Sequence, residues 1–260
     1  MTLIPQDDDA THLVTGDLPV SAPGNTAGPW LGRVLQLNRA GKRNALTTSL
    51  LETLQTEIEN AQADRRVRAI VMCGSGGTFS AGGDVNEFEA TPDSRAGVMT
   101  RSKLLLDVAA QLERSPLPTL AAVTGPAVGA GAVLALACDM AIATPDVRLG
   151  FPELRSSVVP SLVMPSAVTA FGRRLAFDLL TSGRFLDAHE VVECGVINRV
   201  VDSADLRQTV MNILSVWASV DADAMTETKC LLNEMHALSP SEAARAGLDA
   251  TAKLWRPRAI

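Results

Sequence analysis

Three short stretches of the chain contain residues whose types and spacing could do chemistry. SAGGD contains Gly83, VGAGA contains Ala130, and GFPEL contains Glu153. The first two are glycine-rich turns, and each follows an apolar strand-like run and leads towards a helix. N–H groups at the start of a helix lack an intrahelical acceptor and carry partial positive charge, so such turns suit an anion or a developing oxyanion. Two such turns could direct one donor each at one oxygen.

These stretches also have purely structural interpretations. In this interpretation, glycine is present only because a tight strand-to-helix turn needs its unusual dihedral angles. A nucleotide loop is disfavoured, because GSGGTFSAGGD has no P-loop lysine and GxGxxG is absent. Glu153 follows Pro152, and an acidic residue after a proline at a helix start complements the helix dipole. The residues alone leave both interpretations open.

The elements that position these stretches alternate between strand and helix. RVLQLN alternates like a strand, TTSLLETLQTEIENAQAD has helical periodicity with Thr47 or Thr48 as its cap, and VRAIVMC is a buried-strand run. A helix near 95–114, the strand TLAAVTG, the helix GAVLALAC and the strand DMAIAT follow. This alternation predicts an α/β fold with a parallel sheet.

The domain organisation follows from where these patterns begin and stop. Residues 1–30 are rich in Asp, Thr, Pro and Gly, which predicts a loose leader, and the packed α/β core should span 31–200. Beyond about residue 160 the patterns are helical except for GVINRVV, so residues 201–260 should form a C-terminal helical region for assembly or for covering the site. No internal repeat is visible.

Composition excludes several function classes. The net charge of −6 and the 3% aromatic content, with no Tyr, disfavour nucleic-acid binding. No segment approaches the roughly 20 apolar residues of a membrane helix. MTLIPQDDDATHL lacks the basic start of a secretory signal, which favours the cytoplasm. The four cysteines show no CxxC pairing, so we expect buried reduced thiols and no metal site.

At this point the residues resemble a family. LNRAGKRNAL, VRAIVMCGSGGTFSAGGDV, PLPTLAAVTGPAVGAGAVLALACDMAIAT, LGFPEL and LLTSGRFLDAHEVVECGVINRVV follow one another as in the enoyl-CoA hydratase/isomerase (crotonase) superfamily, over about residues 31–236. The resemblance implies a crotonase-like spiral of ββα units with a helical C-terminal part, assembled as a homotrimer or hexamer. It also implies a coenzyme A or carrier-protein thioester substrate and no separate cofactor, since coenzyme A is part of the substrate.

The family's site residues can be carried over position by position. The two oxyanion donors become the N–H groups of Gly83 and Ala130, and the acid of the PE turn becomes Glu153. Hydratases of the family have a second glutamate three residues after the second donor, where this chain has Val133. Valine cannot move a proton, so the usual two-carboxylate addition of water is impaired, and Val133 should line a dry wall.

A single carboxylate resembles the Δ3,Δ2-enoyl-CoA isomerases, in which one base removes a proton from C2 and returns it at C4. This is the leading hypothesis for the reaction. Three alternatives stay open: a decarboxylase or other enolate-forming lyase of a biosynthetic pathway, a hydratase working through Glu153 alone, and a non-catalytic acyl-CoA binding protein. Fatty acid metabolism is the context that the resemblance implies.

Other residues are assigned to substrate or coenzyme A binding with weaker signals. Lys42 and Arg43 lie where relatives place basic side chains near the nucleotide, although a solvated loop is an equal alternative. Asp84 follows the first donor but is expected mainly to cap the next helix. The remaining candidates for contacts with the thioester or its phosphates are Ala81, Phe88 and Lys229.

Overall fold

The computed structural model describes residues 3–4, 12–20, 29–90, 95–235 and 237–254, without the side chains of residues 88–90, 95, 96 and 98. The strands are β1 Leu13–Val20, β2 Trp30–Leu37, β3 Val67–Gly74, β4 Thr119–Val123, β5 Pro126–Val128, β6 Met140–Ala143, β7 Arg148–Gly150, β8 Phe185–Leu186 and β9 Arg199–Val200. The α-helices are α1 Thr48–Ala63, α2 Val85–Ala90, α3 Arg95–Glu113, α4 Ala130–Leu136, α5 Met164–Ser182, α6 Ala188–Glu193, α7 Leu206–Ser219, α8 Ala222–Met235 and α9 Pro240–Leu254. Single 3₁₀ turns span Ala40–Lys42 and Glu153–Ser156.

A six-stranded sheet forms the centre of the fold. Its order is β1-β2-β3-β4-β6-β9, and every pair is parallel except the antiparallel pair β1–β2. Both faces are covered, because Ile70 and Met72 of β3 belong to one apolar cluster while Val71 and Cys73 belong to another. Burial on both faces explains why VRAIVMC reads as a continuous apolar run. The predicted α/β core with a parallel sheet is confirmed.

A second, three-stranded sheet has the order β5-β7-β8 and was not predicted. Strands β5 and β7 are parallel, with Val128 opposite Gly150. Both strands are only three residues long, too short to show a period in the sequence. This small sheet nevertheless positions the candidate site residues. Strand β5 ends at Val128, just before the turn that contains Ala130, and strand β7 ends at Gly150, just before Glu153.

The N-terminal part differs from the expected loose leader. Residues Leu13–Val20 form a full strand, β1, that pairs antiparallel with β2 from Leu13↔Leu37 to Val20↔Trp30. Leu18 and Val20 are buried, together with Leu3 and Ile4, in the cluster that α7 covers. The prediction that the packed fold begins near Trp30 is therefore wrong. Glycine and proline within LVTGDLPV obscured an edge strand that tolerates both, since one side of its backbone is unpaired.

The helices largely follow the predicted periodicity. Thr47 caps α1, as predicted, by accepting the Leu50 N–H at 3.2 Å. The helical region predicted beyond about residue 160 begins with α5, which is kinked at Gly172. Helix α7 packs on β1 and β3 through Leu206, Val210 and other apolar residues. Helix α9 buries none of its residues within the chain.

Lys229 on α8 was predicted to contact phosphate, and the structure corrects this. Its side chain is 5% exposed, and Nζ lies 2.7 Å from Oδ2 of Asp139. Nζ also donates to the carbonyl oxygens of Leu112 at 2.9 Å and Leu117 at 3.1 Å. All three ammonium donors are thus used inside the protein. Lys229 attaches the C-terminal helices to the core instead of binding substrate.

The four cysteines are free thiols. Burial raises the pKa of Cys73 and of Cys138 to about 12 each, so both are protonated and unreactive at neutral pH. Of the four, Cys73 alone is fully buried by solvent exposure, Cys138 and Cys194 are half-buried and Cys230 is exposed, contrary to the expectation that all four are buried. In the described ranges there is no helix of the length and apolarity needed to cross a bilayer. Within the same ranges, His, Cys, Asp and Glu form no group of three that could hold a metal ion.

Candidate active site

The first candidate donor, Gly83, lies in a turn that is held by the segment before α1. The Leu46 N–H donates to the carbonyl oxygen of Gly82 at 2.7 Å, and the Asp84 N–H donates to the carbonyl oxygen of Leu46 at 2.9 Å. These two bonds bracket Gly83. Within the described ranges the N–H of Gly83 has no hydrogen-bond acceptor of its own, so it is available to a ligand.

The second candidate donor, Ala130, is the first residue of α4. Gly129 before it has φ 52° and ψ −118°, a conformation that an L side chain rarely adopts and that directs the chain sharply into the helix. An N–H at this helix position has no intrahelical partner. Among the described residues, none accepts a hydrogen bond from the Ala130 N–H. Alanine at this position keeps the donor, as the sequence predicts.

The fold brings the two turns together. Ser80 and Ala127 form a parallel bridge, and the Val128 N–H donates to the Ser80 carbonyl oxygen at 2.9 Å. A Cβ atom on Gly82 would lie 3.6 Å from the backbone nitrogen of Ala130 and only 2.8 Å from the carbonyl oxygen of Val128. Only glycine at position 82, with φ 90°, permits this approach. The turn that contains the first donor therefore packs against the backbone nitrogen of the second.

Glu153 completes the group from a third element. It begins the 3₁₀ turn after β7, and its carboxyl lies directly over Gly129, since a Cβ atom there would be 2.5 Å from Oε1. Oε2 is buried without a hydrogen-bond partner among the described residues. Burial raises the pKa of this carboxyl, and a hydrogen bond from its own backbone N–H offsets the rise only in part. The arrangement places a half-buried carboxyl, with one oxygen shielded from solvent, close to the turn that contains the second N–H donor.

The position of the second hydratase acid is apolar in the structure as in the sequence. Val133 is 0% exposed and packs in the apolar cluster beneath α4. Its N–H donates to the carbonyl oxygen of Gly129, and its carbonyl oxygen accepts the Ala137 N–H. Its backbone hydrogen bonds are thus those of the helix. Position 133 therefore contributes no carboxylate to the site.

Asp84 has structural partners for both carboxylate oxygens. Oδ1 accepts the Asn86 N–H at 3.0 Å, which confirms its capping of α2, and Oδ2 accepts from Nη1 of Arg39 at 2.8 Å. Burial raises the pKa of Asp84, but the hydrogen bonds and charge of Arg39 and the bond from Asn86 outweigh it, so the net shift is downward. A charged carboxylate thus lies one residue from the first donor.

Two residues of this network were missed in the sequence. Arg39 binds Asp84, and Asn44 donates from Nδ2 to the carbonyl oxygens of Ser75 at 2.9 Å and Thr78 at 2.6 Å. Both lie in LNRAGKRNAL, the segment in which the sequence predicts coenzyme A contacts for the neighbouring Lys42 and Arg43. Asn44 has φ 54°, a conformation that asparagine tolerates better than most residues. Polar residues directly after a buried strand are the signal that could have identified them.

The predicted coenzyme A contacts lie on the outer side of this network. Lys42 and Arg43 are exposed in the 3₁₀ turn and at its end, and the carbonyl oxygen of Arg43 accepts the Ala81 N–H at 2.9 Å. The turn with both basic side chains is thereby bound to the turn with the first donor. Their contact with a nucleotide stays a prediction. The side chain of Phe88 lies outside the described residues.

A separate cavity of about 820 Å³ lies at the end of the central sheet where strands β2, β3 and β4 begin. Trp30, Trp217 and Arg68 are among its lining residues, and Arg68 stacks 4.8 Å above Trp30 while donating to the Val220 carbonyl oxygen. Among the residues whose side chains the structure describes, none that the sequence assigned to the site lines this cavity. It is distinct from the group around Glu153.

Comparison with known proteins gives consistent results. A family model described as enoyl-CoA hydratase/isomerase matches residues 33–255. A putative enoyl-CoA hydratase of Thermus thermophilus is 38% identical over 168 residues, which is 64% of this chain and 66%, slightly under two thirds, of that protein. A probable enoyl-CoA hydratase of Rhizobium meliloti is 33% identical over 217 residues, covering 82% and 83%. The crystal structure of an enoyl-CoA hydratase from Mycobacterium smegmatis superposes with a TM-score of 0.85 at 27% identity, over 94% of this chain and 90% of that one.

Proposed function

Because the chain belongs to the enoyl-CoA hydratase/isomerase family of the crotonase superfamily, we propose that it is a Δ3,Δ2-enoyl-CoA isomerase with Glu153 as its single base. Membership of this family implies an enzyme of hydratase/isomerase type that acts on an acyl-CoA thioester. The assignment as an isomerase rests on one observation: a carboxyl with a buried, unpartnered oxygen lies close to the two unpaired N–H donors, and Val133 occupies the position of the second acid.

The proposed reaction begins with removal of a proton. The thioester carbonyl oxygen accepts hydrogen bonds from the N–H groups of Gly83 and Ala130, and Glu153 takes a proton from C2 of a 3-enoyl thioester. The electron pair of the C–H bond delocalises onto the carbonyl oxygen. A donor held in place where charge develops only in the transition state contributes about 3 to 4 kcal/mol. Both donors belong to the backbone, so no step requires a metal or a separate cofactor.

The reaction ends when the same carboxyl returns the proton. Protonated Glu153 delivers it to C4, the electron pair shifts so that the double bond lies between C2 and C3, and the carbonyl is restored. A carboxyl that accepts and then donates a proton works best with a pKa near the working pH. The raised pKa of Glu153 supports this double role. Val133 has no group that could take a proton from water, which supports a reaction in which no water is added.

A hydratase that works through Glu153 alone is the second candidate. The printed names of the Thermus and Rhizobium relatives favour it, since both are called hydratases. The two candidates share the enolate and differ in what is added to C3: the isomerase adds nothing, whereas the hydratase adds water. The absence of a second carboxylate at position 133 is the reason we place the isomerase first.

The test is hydrogen exchange and product analysis with 3-enoyl-CoA and 2-enoyl-CoA thioesters in D2O. We expect double-bond migration in the wild-type protein, with deuterium at C2 and C4 to the extent that protonated Glu153 exchanges with D2O before it returns the proton. Glu153→Gln keeps the shape but cannot accept the proton, so its rate should fall at least about 10³-fold, within the range of general acid–base contributions. Glu193→Gln, whose side chain is 73% exposed, is the matched control and should retain full activity.

Each other product contradicts the proposal in favour of a stated alternative. A 3-hydroxyacyl thioester without migration would support the hydratase. Carbon dioxide released from a carboxylated thioester, with no exchange from the enoyl thioesters, would support the lyase. Tight thioester binding with no exchange in either protein would support an acyl-CoA binding protein.

A further inference from the structure

The proposed oxyanion hole has an electrostatic problem at its first donor. Asp84 follows Gly83 directly, its side chain is only 6% exposed, and its pKa is below the ordinary value, so it carries a negative charge. A buried carboxylate on the residue next to the donor opposes the formation of an enolate there, because two like charges in a low-dielectric site repel strongly. A site that stabilises an enolate needs this charge to be balanced.

Arg39 is the group that balances it. Nη1 of Arg39 lies 2.8 Å from Oδ2 of Asp84, and the Arg39 side chain is 12% exposed. The same Nη1 donates to the carbonyl oxygen of Ala45, and the Arg39 N–H donates to Oδ1 of Asn44 at 2.8 Å. The guanidinium is therefore fixed by the segment that precedes α1 and faces the turn of the first donor.

The backbone bonds connect this ion pair to the donor itself. Leu46 follows Ala45 and binds the residues on both sides of Gly83, accepting from Asp84 and donating to Gly82. Ser80 Oγ donates to the Asn44 carbonyl oxygen at 2.8 Å and accepts the Gly82 N–H at 3.2 Å. Arg39 thus contacts the Gly83 turn both through charge and through the segment that brackets it.

We propose that Arg39 is a positioning residue of the active site: by pairing with Asp84 it removes the net negative charge beside the Gly83 N–H and so permits an enolate to form there. The inference rests on the proposed function only in requiring that an acyl-CoA enolate binds at this donor. It holds equally for an isomerase and a hydratase, since both pass through that enolate.

The charge argument and a merely structural role make opposite predictions. If Arg39 acts through charge, Arg39→Gln should disfavour the bound enolate and Asp84→Asn should not. If the pair only holds the turn, breaking it from either side should have the same effect. The double variant R39Q/D84N should restore enolate binding in the first case and should be no better than either single variant in the second.

The readout is the pKa of bound acetoacetyl-CoA, a β-keto thioester whose enolate absorbs in the near ultraviolet and which requires no turnover. An unbalanced charge within about one residue's length should raise this pKa by about 1 to 2 units, which is a 10- to 100-fold loss of enolate at fixed pH. We expect this rise in R39Q, no rise in D84N, and a value close to wild type in R39Q/D84N. In the enoyl-CoA assay, R39Q should lower kcat by a similar factor with little change in KM.

Arg33→Gln is the matched control. Arg33 is also a largely buried arginine in an ion pair: its side chain is 14% exposed, and Nε lies 2.5 Å from Oδ1 of Asp17. It belongs to strand β2 and does not contact the turn of the first donor. It should leave the bound pKa unchanged. Thermal unfolding identifies any variant that fails to fold, and if R39Q does, D84N alone decides, because a raised bound pKa in D84N would overturn the proposal.

The outcomes separate this inference from the proposed function. Equal rises in R39Q and D84N without recovery in the double variant would overturn the charge role of Arg39. If the predicted pattern of bound pKa values appears but 3-enoyl thioesters do not isomerise, the inference stands and the isomerase proposal fails. If the wild-type protein binds no acetoacetyl-CoA enolate, both are wrong.

Discussion

Gly129→Ala is the substitution that tests most directly how the carboxyl and the second donor fit together. Gly129 has φ 52° and ψ −118°, and its missing side chain leaves the space that the Glu153 carboxyl occupies. An added Cβ atom would meet Oε1 at 2.5 Å. The carboxyl would have to retreat by about 0.9 Å to reach an ordinary contact of 3.4 Å.

Two costs follow, and they appear in different measurements. The positive φ strains the alanine backbone by about 1 to 3 kcal/mol, which lowers the free energy of unfolding. The displaced carboxyl lowers the rate, because a misplacement of about 1 Å in a catalytic group costs on the order of 10²-fold. We therefore expect Gly129→Ala to lose about 10²-fold in kcat for double-bond migration while the protein still folds.

Gly172→Ala isolates the first cost from the second. Gly172 has φ 64°, and an added Cβ atom would have nothing within 4 Å, so the variant should be destabilised without losing kcat. Steady-state kinetics and urea unfolding of both variants make the comparison. Unchanged kcat in Gly129→Ala, or an equal loss in both variants, would refute the placement of Glu153 over Gly129.

Two further predictions concern stability. The raised pKa of Glu153 means that the folded state binds more protons than the unfolded state above the ordinary glutamate value of 4.5, so this residue's contribution to stability falls as pH rises. Glu153→Gln should therefore be more stable than wild type at pH 7, and the gain should vanish on acidification to pH 4. Urea unfolding at both pH values that gave the same gain would contradict this. Lys229→Met leaves Asp139 without its counter-charge and should cost about 3 kcal/mol in urea unfolding, whereas Lys253→Met, which removes an exposed pair with Glu227, should cost less than about 1 kcal/mol; equal costs would contradict the role assigned to Lys229.

The central sheet and the long helices could be predicted because their patterns are local. VRAIVMC and the segment of α1 show their burial and their period within a single element, and Thr47 is a cap by residue type and position. Strand β1 could not be predicted in the same way, because Gly16 and Pro19 are unfavourable in a strand unless its pairing with β2 is known. Strands β5 and β7 are too short to have a pattern.

The candidate site was predicted to a different extent. Gly83, Ala130, Glu153 and Val133 came from a resemblance of motifs, and the structure brings the first three together. Lys229 was misassigned because a lysine on a helix near the C-terminus reads as solvated until its burial is known. Arg39 was missed because its importance depends on a contact across 45 residues of chain, which no local pattern contains.

The two donors have a consequence for how this protein can change over generations. Because they are backbone N–H groups, only a substitution by proline deletes one outright, whereas Glu153 can be lost through one ordinary codon change. Under the proposed function, a descendant without that carboxyl would keep both donors for an anionic thioester intermediate and could act on a substrate that supplies its own leaving group. The fold and its backbone donors can therefore be kept while the reaction changes, and new activities can arise through single substitutions at positions such as 133 and 153.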